Sequence, residues 1–385
     1  MLESLSLASF KGFPSAELPL RPFTMLIGPN GVGKSSVLQA IALLAGVVQG
    51  SLAEFLRDQE WDYEDLPHLR ARSLRLGVTA TVRLGKSLVR WELQCGTRKH
   101  PGIAAERVVR LGNAGTETLL LERDGRKMSR LEENTGKPER IEQTLGGSWL
   151  GSLRAPDRRR FPTLLELAEW ARGIHPYLML DPLRLRAPGR GAADDIGAHG
   201  EQLATFLAGL RQRDPKAIPR LIKRVRAHYP NLIRIDPRRA QYGWTRLEVT
   251  ERWNGGRSSL NARQVSDGLL RLIAVAAMAE LPAPPRLLLI DEVENGMHPH
   301  LLGGLIGLLQ SFVDRSGGKT QVMATTHSPI ALNYCRDAGG VLLVSRRRGR
   351  KPRFLPLDRG KGFATLRRHF DLGELWYNVG EERLQ

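Results

Sequence analysis

Cysteine is nearly absent from this 385-residue chain, which has only Cys95 and Cys335. Two thiols so far apart make neither a disulfide framework nor a cysteine zinc site, so the expected compartment is the reducing cytoplasm. Long apolar runs are also missing. The two most apolar stretches, Leu38–Val48 and Leu269–Leu281, are interrupted by Gln39 and Arg271. Both fall short of the ~18 residues a membrane span needs, so no membrane partner is expected. The start, Met1-Leu-Glu-Ser, lacks the charged head and apolar core of a signal peptide. There is no heptad series and no internal repeat, which excludes long coiled-coil arms. Acidic residues are in short supply, 40 Asp+Glu against 58 Lys+Arg, for a net charge of +18. A composition of 41% hydrophobic and 25% charged residues is that of a folded globular chain. Its length suits one large domain or two to three small ones.

The excess charge is localised. Residues 154–239 hold 18 Lys+Arg and 9 Asp+Glu, and residues 346–361 hold 8 basic and 1 acidic residue, leaving the remainder near neutral. Basic surfaces of this kind suit nucleic acid, an acidic protein or anionic lipid, although 47 of the 58 basic residues are arginine, as in an arginine-rich genome.

Alternation predicts strands at 2–7 and 23–27, and a hairpin of Leu74–Leu84 with Ser87–Leu93. Short strands continue through 105–145. From about 149 the pattern turns helical: Leu164–Ala171, Gly200–Arg211 and Ile218–His228. Strands return at Leu232–Ile235 and Trp244–Trp253. They are followed by a helix Ser266–Leu281, a strand Arg286–Ile290, a helix Leu301–Val313, and strands Thr320–Thr325 and Val341–Val344. Arg346–Arg353 reads as a hairpin tip before Phe354–Leu357, and Leu366–Tyr377 as a helix carrying Trp376 and Tyr377.

Gly28-Pro-Asn-Gly-Val-Gly-Lys-Ser-Ser matches G-x-x-x-x-G-K-[ST] between a buried strand and a helix. Glycines let backbone N–H groups converge on phosphate oxygens, and the helix turns its positive end toward them. Asn30, Gly31, Gly33, Lys34, Ser35 and Ser36 are the expected nucleotide contacts. Lys34 reaches the β/γ-phosphates and the Ser35 hydroxyl ligates Mg²⁺. The apolar strand 286–290 delivers Asp291 and Glu292 at its end. Asp291 would hold the Mg²⁺ hydration shell, and Glu292 would take the proton of the attacking water. Ser266-Asp267-Gly268 opens a helix 25 residues before Asp291, and a hydroxyl with free N–H groups at a helix N-terminus makes an anion site. Met323-Ala-Thr-Thr-His327-Ser-Pro follows a further apolar strand, and a metal site at His298 and His300 is not expected.

These motifs in this order resemble ABC-type ATPases of the SMC-like and RecF-like branch. Asp291-Glu-Val-Glu-Asn-Gly-Met-His-Pro and Thr326-His-Ser-Pro are similar to the OLD-type ATPase heads of bacterial phage-defence operons. The resemblance implies an α/β, ABC-type P-loop NTPase with a mixed central sheet, an antiparallel β lobe and a helical insertion. It implies that ATP and Mg²⁺ are the cofactors and that His327 contacts the γ-phosphate. Ser266, Asp267 and Gly268 of one subunit would close over the ATP of another, in a homodimer or an oligomer of dimers. Lys11-Gly-Phe13 resembles the basic-aromatic turn near the nucleotide in that branch. Three features depart from the pattern: Asp267 stands where transporters have glycine, no clear Q-loop glutamine is found beyond Gln94 and Gln143, and no Asp-x-Asp pair or room for a nuclease domain follows residue 345.

The expected layout is one discontinuous head. Lobe I spans 1–148, a basic helical insertion 149–230, lobe II 231–345 and a basic extension 346–385. The leading expectation is an ATPase that regulates a separately encoded nuclease or toxin-like effector in antiphage defence. The alternatives are a RecF-like repair ATPase that binds DNA through the basic insertion, and a weakly hydrolysing scaffold.

Overall fold

The computed structural model describes residues 1–68, 75–97, 100–178, 180–253, 255–346 and 352–379. The chain forms two compact units, one from Met1–His175 with Gly339–Phe363, the other from Pro176–Ala338 with the described residues from Ala364. Among the described residues, no helix is long and apolar enough to cross a membrane.

In the first unit, eight antiparallel strands form one sheet, beginning with the pair Leu2–Phe10 and Phe13–Pro19. The expected hairpin is Leu76–Leu84 with Ser87–Thr97, and residues 69–74 lie outside those described. Strict alternation of buried Leu76, Val78, Ala80 and Val82 sets one face of this sheet toward the core. A smaller set is mixed: Phe23–Ile27 runs parallel to Val341–Ser345, which pairs antiparallel with Arg353–Pro356. That pairing makes the expected C-terminal hairpin, whose tip 347–351 lies outside the described residues. The helix Pro162–Arg172 packs on the helix Lys34–Gln49, which is buried along most of its length. The opening of the basic insertion therefore belongs with the first unit.

In the second unit, strands Leu232–Arg239, Trp244–Trp253, Gly256–Asn261 and Gly189–Arg190 form a four-stranded antiparallel sheet. Helices Leu203–Arg213 and Ala217–Arg226 pack on one face of it. The apolar helix Asp267–Met278 and the parallel strands Leu287–Ile290 and Gln321–Thr325 carry the motifs. The expected helix at Leu366–Tyr377 is broken. Phe363–Leu366 ends, Asp371 caps a new turn with Glu374, and Leu375–Val379 continues as a π-helix.

The large sheet is anchored by a buried acid. Glu106 is 1% exposed and accepts hydrogen bonds from Trp91 Nε1 (3.0 Å), Trp149 N (2.9 Å) and the Ser148 hydroxyl. Burial raises its pKa, while these donors and Arg123 lower it. Glu106→Ala strands three buried donors. The expected cost is about 3–5 kcal/mol of unfolding free energy, read from urea denaturation. Unchanged stability would show the anchor to be dispensable.

Candidate functional site

The phosphate loop lies in the first unit. Phe23–Ile27 stops at Gly28, whose φ is +141°, and a Cβ there would stand 2.3 Å from the Val344 carbonyl oxygen. At the far end, Gly33 has φ +109°, and a Cβ would stand 2.5 Å from the Phe13 ring. Both ends of the turn therefore require glycine. Lys34 is 4% exposed, and its Nζ donates to Gly28 O (2.7 Å) and Pro29 O (3.0 Å), setting the ammonium inside the turn. Asn30 and Gly31 are exposed, and Ser35 and Ser36 are half-buried in the first helical turn.

Beside Phe13, the Lys11-Gly12 turn borders a cleft of about 520 Å³ that also involves Glu64, Asp65, His68 and Arg346. Lys11 has φ +45° and its ammonium lies 3.5 Å from the centre of the Trp61 ring. Burial lowers its pKa to about 8, partly opposed by Asp65.

The other motifs meet in the second unit. Parallel pairing from Leu287↔Gln321 to Ile290↔Ala324 brings Asp291 and Glu292 beside Thr325, Thr326 and His327. The Thr325 hydroxyl donates to Asp291 Oδ1 and accepts the Glu292 N–H at 2.8 Å. Glu292 has φ +46°, a conformation that costs a non-glycine residue about 1–3 kcal/mol and concentrates at functional sites. Glu294 then reaches back to accept the Thr326 hydroxyl (2.7 Å) and the His327 N–H.

Ser266 is the N-cap of the helix Asp267–Met278 and accepts from Leu269 N at 3.4 Å. It is exposed, whereas Gly268 is buried: a Cβ at Gly268 would stand 3.2 Å from Leu301 Cδ1 and 3.6 Å from Gly296 O. This glycine is needed for close packing against the loop after Glu294. Asp267 is bound by Arg186, which also donates to Val265 O (2.9 Å) and Ala262 O (3.1 Å). Arg271, 5% exposed, lies below; among the described residues its Nε has no hydrogen-bond partner. Burial lowers its pKa, opposed by Asp267 and Asp181. His298 and His300 stack at 5.0 Å.

Sequence reasoning missed Thr325, Glu294, Arg186 and Arg271 as organisers of this cluster. Thr325 and Glu294 stood inside quoted motifs, but only strand register reveals their bonds.

Residues 116–333, more than half of the chain, match a family model described as "AAA domain, putative AbiEii toxin, Type IV TA system". The chain belongs to this AAA family. Residues 1–66 match a second model, "AAA ATPase domain". This AAA protein is thus a P-loop ATPase. An OLD nuclease from Thermus scotoductus is 41% identical over 61 residues, 16% of this chain and 12% of that protein, so the match spans a small part of the relative. The crystal structure of an SMC head bound to the C-winged helix domain of ScpA has a TM-score of 0.56 at 13% identity, covering 93% of this chain and 98% of that chain. It shows that the AAA chain has the SMC-head fold. An SMC head domain from Thermotoga maritima gives 0.43 at 15% identity, over 92% and 98% of the two chains.

Thr325→Val removes the hydroxyl shared by Asp291 and Glu292. The expected result is a 10–100-fold fall in kcat for ATP with little change in KM. A rise in KM with kcat unchanged would assign Thr325 to binding. Glu292→Gly should relieve backbone strain, raising thermal stability while abolishing turnover. Lower stability would show that the strain is not stored there.

Proposed function

We propose that two copies of this ATPase pair head-to-tail around two ATP–Mg²⁺. Lys34 with Asn30, Gly31, Gly33, Ser35 and Ser36 grips the phosphates, Glu292 acts as base, and His327 senses the γ-phosphate. Ser266, Asp267 and Gly268 from the second copy close each site. The observation that carries this reading is the strained Glu292, bonded through Thr325 to Asp291 in a cluster that also holds His327. A water beside such a carboxylate loses its proton as it attacks, which is the requirement of phosphoryl transfer.

Hard oxygen donors suit Mg²⁺, and Ser35 and Asp291 supply a hydroxyl and a carboxylate. Thr325 fixes the Asp291 carboxylate through its Oδ1, and Ser35 and Asp291 would hold the cation. The cation would neutralise phosphate charge.

Opening and closing of the dimer would switch a separately encoded nuclease or toxin-like effector in prokaryotic antiphage defence. The support is the family description and the OLD nuclease match. The fold would serve as one discontinuous head whose additions, 149–230 and 346–385, meet partners.

The test is Glu292→Gln with light scattering. ATP should convert the variant to a dimer while turnover falls at least ~100-fold. Ser266→Arg should bind ATP yet stay monomeric. A Glu292→Gln variant that remains monomeric with ATP, or one that turns over at the wild-type rate, would overturn the reading. Copurification with the products of neighbouring genes tests the effector.

We further propose that Lys11 contacts the nucleotide phosphates. With a pKa of about 8, its charge is lost as pH rises, so ATP affinity should weaken about tenfold from pH 7 to 9. Lys11→Arg should flatten that profile, and an unchanged slope would remove Lys11 from the site.

A further inference from the structure

The basic residues between 154 and 257 sort into two populations. On the helices and their connections they are largely engaged. Arg158 pairs with Glu169, Arg160 with Glu132 and Glu139, Arg213 with Asp194, and Arg220 and Arg224 with Glu280. The four-stranded sheet of the second unit differs. Its inner face, Thr245, Leu247, Val249 and Ile235, is buried under the helices. Its outer face is open and carries exposed Arg234, Arg238, Arg246, Arg252 and Arg257, with Arg190 stacked on Trp244 at 4.6 Å at one edge.

Register places Arg238 directly across from Arg246, and Arg252 across from Arg257. Like charges opposite one another destabilise a sheet. Two acids share the face. Asp236 is enclosed by Arg211, Arg234 and Arg238, and Glu248 pairs with Arg238. Among the described residues, no carboxylate pairs with Arg246, Arg252 or Arg257. A central row, Arg234–Thr250–Ser259, adds two hydroxyls. Of the aromatics near this face, Trp244 lies on it beneath Arg190 and Tyr242 (84% exposed) stands in the preceding turn, whereas Trp253 has the parity of the inner face and donates its indole N–H to Glu251 at 2.9 Å.

We propose that this outer face binds single-stranded RNA. Guanidinium forks take phosphates, and the like-charged pairs are relieved by a polyanion. The rings of Tyr242 and Trp244 offer stacking surfaces that only unstacked bases can use. The hydroxyls of Thr250 and Ser259 match ribose 2′-OH groups, which distinguish RNA from DNA. Arg234 and Arg238 lie four residues apart along one strand, ~13 Å, and Arg246 and Arg252 six apart along the next, ~20 Å, so an extended backbone of several nucleotides would span them. This surface is separate from the nucleotide chemistry and does not rest on that reading.

The experiment is fluorescence anisotropy on the full chain with labelled U20, dT20 and a 20-base-pair DNA duplex, with poly-glutamate as competitor. U20 should bind tightest, with affinity falling as salt rises. Arg246→Gln/Arg252→Gln/Arg257→Gln should weaken U20 at least tenfold. It should also flatten the log affinity–log salt slope by about 2, since each single-strand phosphate neutralised by an arginine accounts for ~0.7 of that slope. ATP turnover and far-UV circular dichroism should stay at wild-type values. Arg213→Gln, on the helical side, should bind like wild type. Failure of wild type to bind U20, an unaffected triple variant, or equal or tighter binding of dT20, duplex or poly-glutamate would each overturn the proposal.

Discussion

One threonine hydroxyl organises the second unit's end of the chemistry. Two parallel strands end side by side, and at that edge the backbone of each must find partners beyond the ladder. Thr325 Oγ1 meets both needs, donating to Asp291 and accepting from the Glu292 N–H. Its own carbonyl then takes the Val293 N–H at 3.1 Å. Three consecutive residues are thereby held to one strand end, and Glu292 adopts its left-handed turn because its neighbours are fixed. The strain is local and modest, about 1–3 kcal/mol, and is sustained by charge-assisted bonds of comparable strength.

The same logic extends to His327. Glu294 is the next carboxylate along, and it turns back to hold Thr326 and the backbone of His327. The imidazole is placed through its own main chain, which a long flexible side-chain contact would not achieve. Four residues after one strand and three at the end of another thus define each other.

Much of this was legible in the sequence, for a definite reason. The phosphate loop is a local object: strand, glycine turn and helix are contiguous, and its spacing carries its geometry. The acid pair and the histidine were legible as strand-end positions. What could not be read were bonds that depend on register, such as Thr325 to Asp291 across 34 residues or Arg186 to Asp267 across 81. Gly268 shows a subtler limit. Its place in the motif suggested an open anion site, but its missing side chain also serves close packing against Gly296 and Leu301. The tail helix failed for a local cause, since Asp371 forms a capping box that restarts the chain. Net charge was least informative, because composition cannot distinguish an arginine clasped by a glutamate from one facing solvent.

The second unit also has a contiguous chain of contacts from the Ser266–Gly268 turn to His327. Arg186 holds Asp267 at the start of its helix. Asp267 lies beside Gly296, where an added Cβ would come within 3.5 Å of the Asp267 Cβ. Gly296 follows Glu294 by two residues, and Glu294 holds His327. The outer links are the Arg186 and Glu294 side chains and the central one is the close approach of Asp267 to Gly296, and packed interiors transmit displacement because they resist compression. A shift at the start of the helix Asp267–Met278 bears first on Gly296 and, through Glu294, on His327. In the proposed dimer, a contact made at Ser266 would therefore bear on His327 through this series of contacts, tying the surface of one copy to its own strand ends.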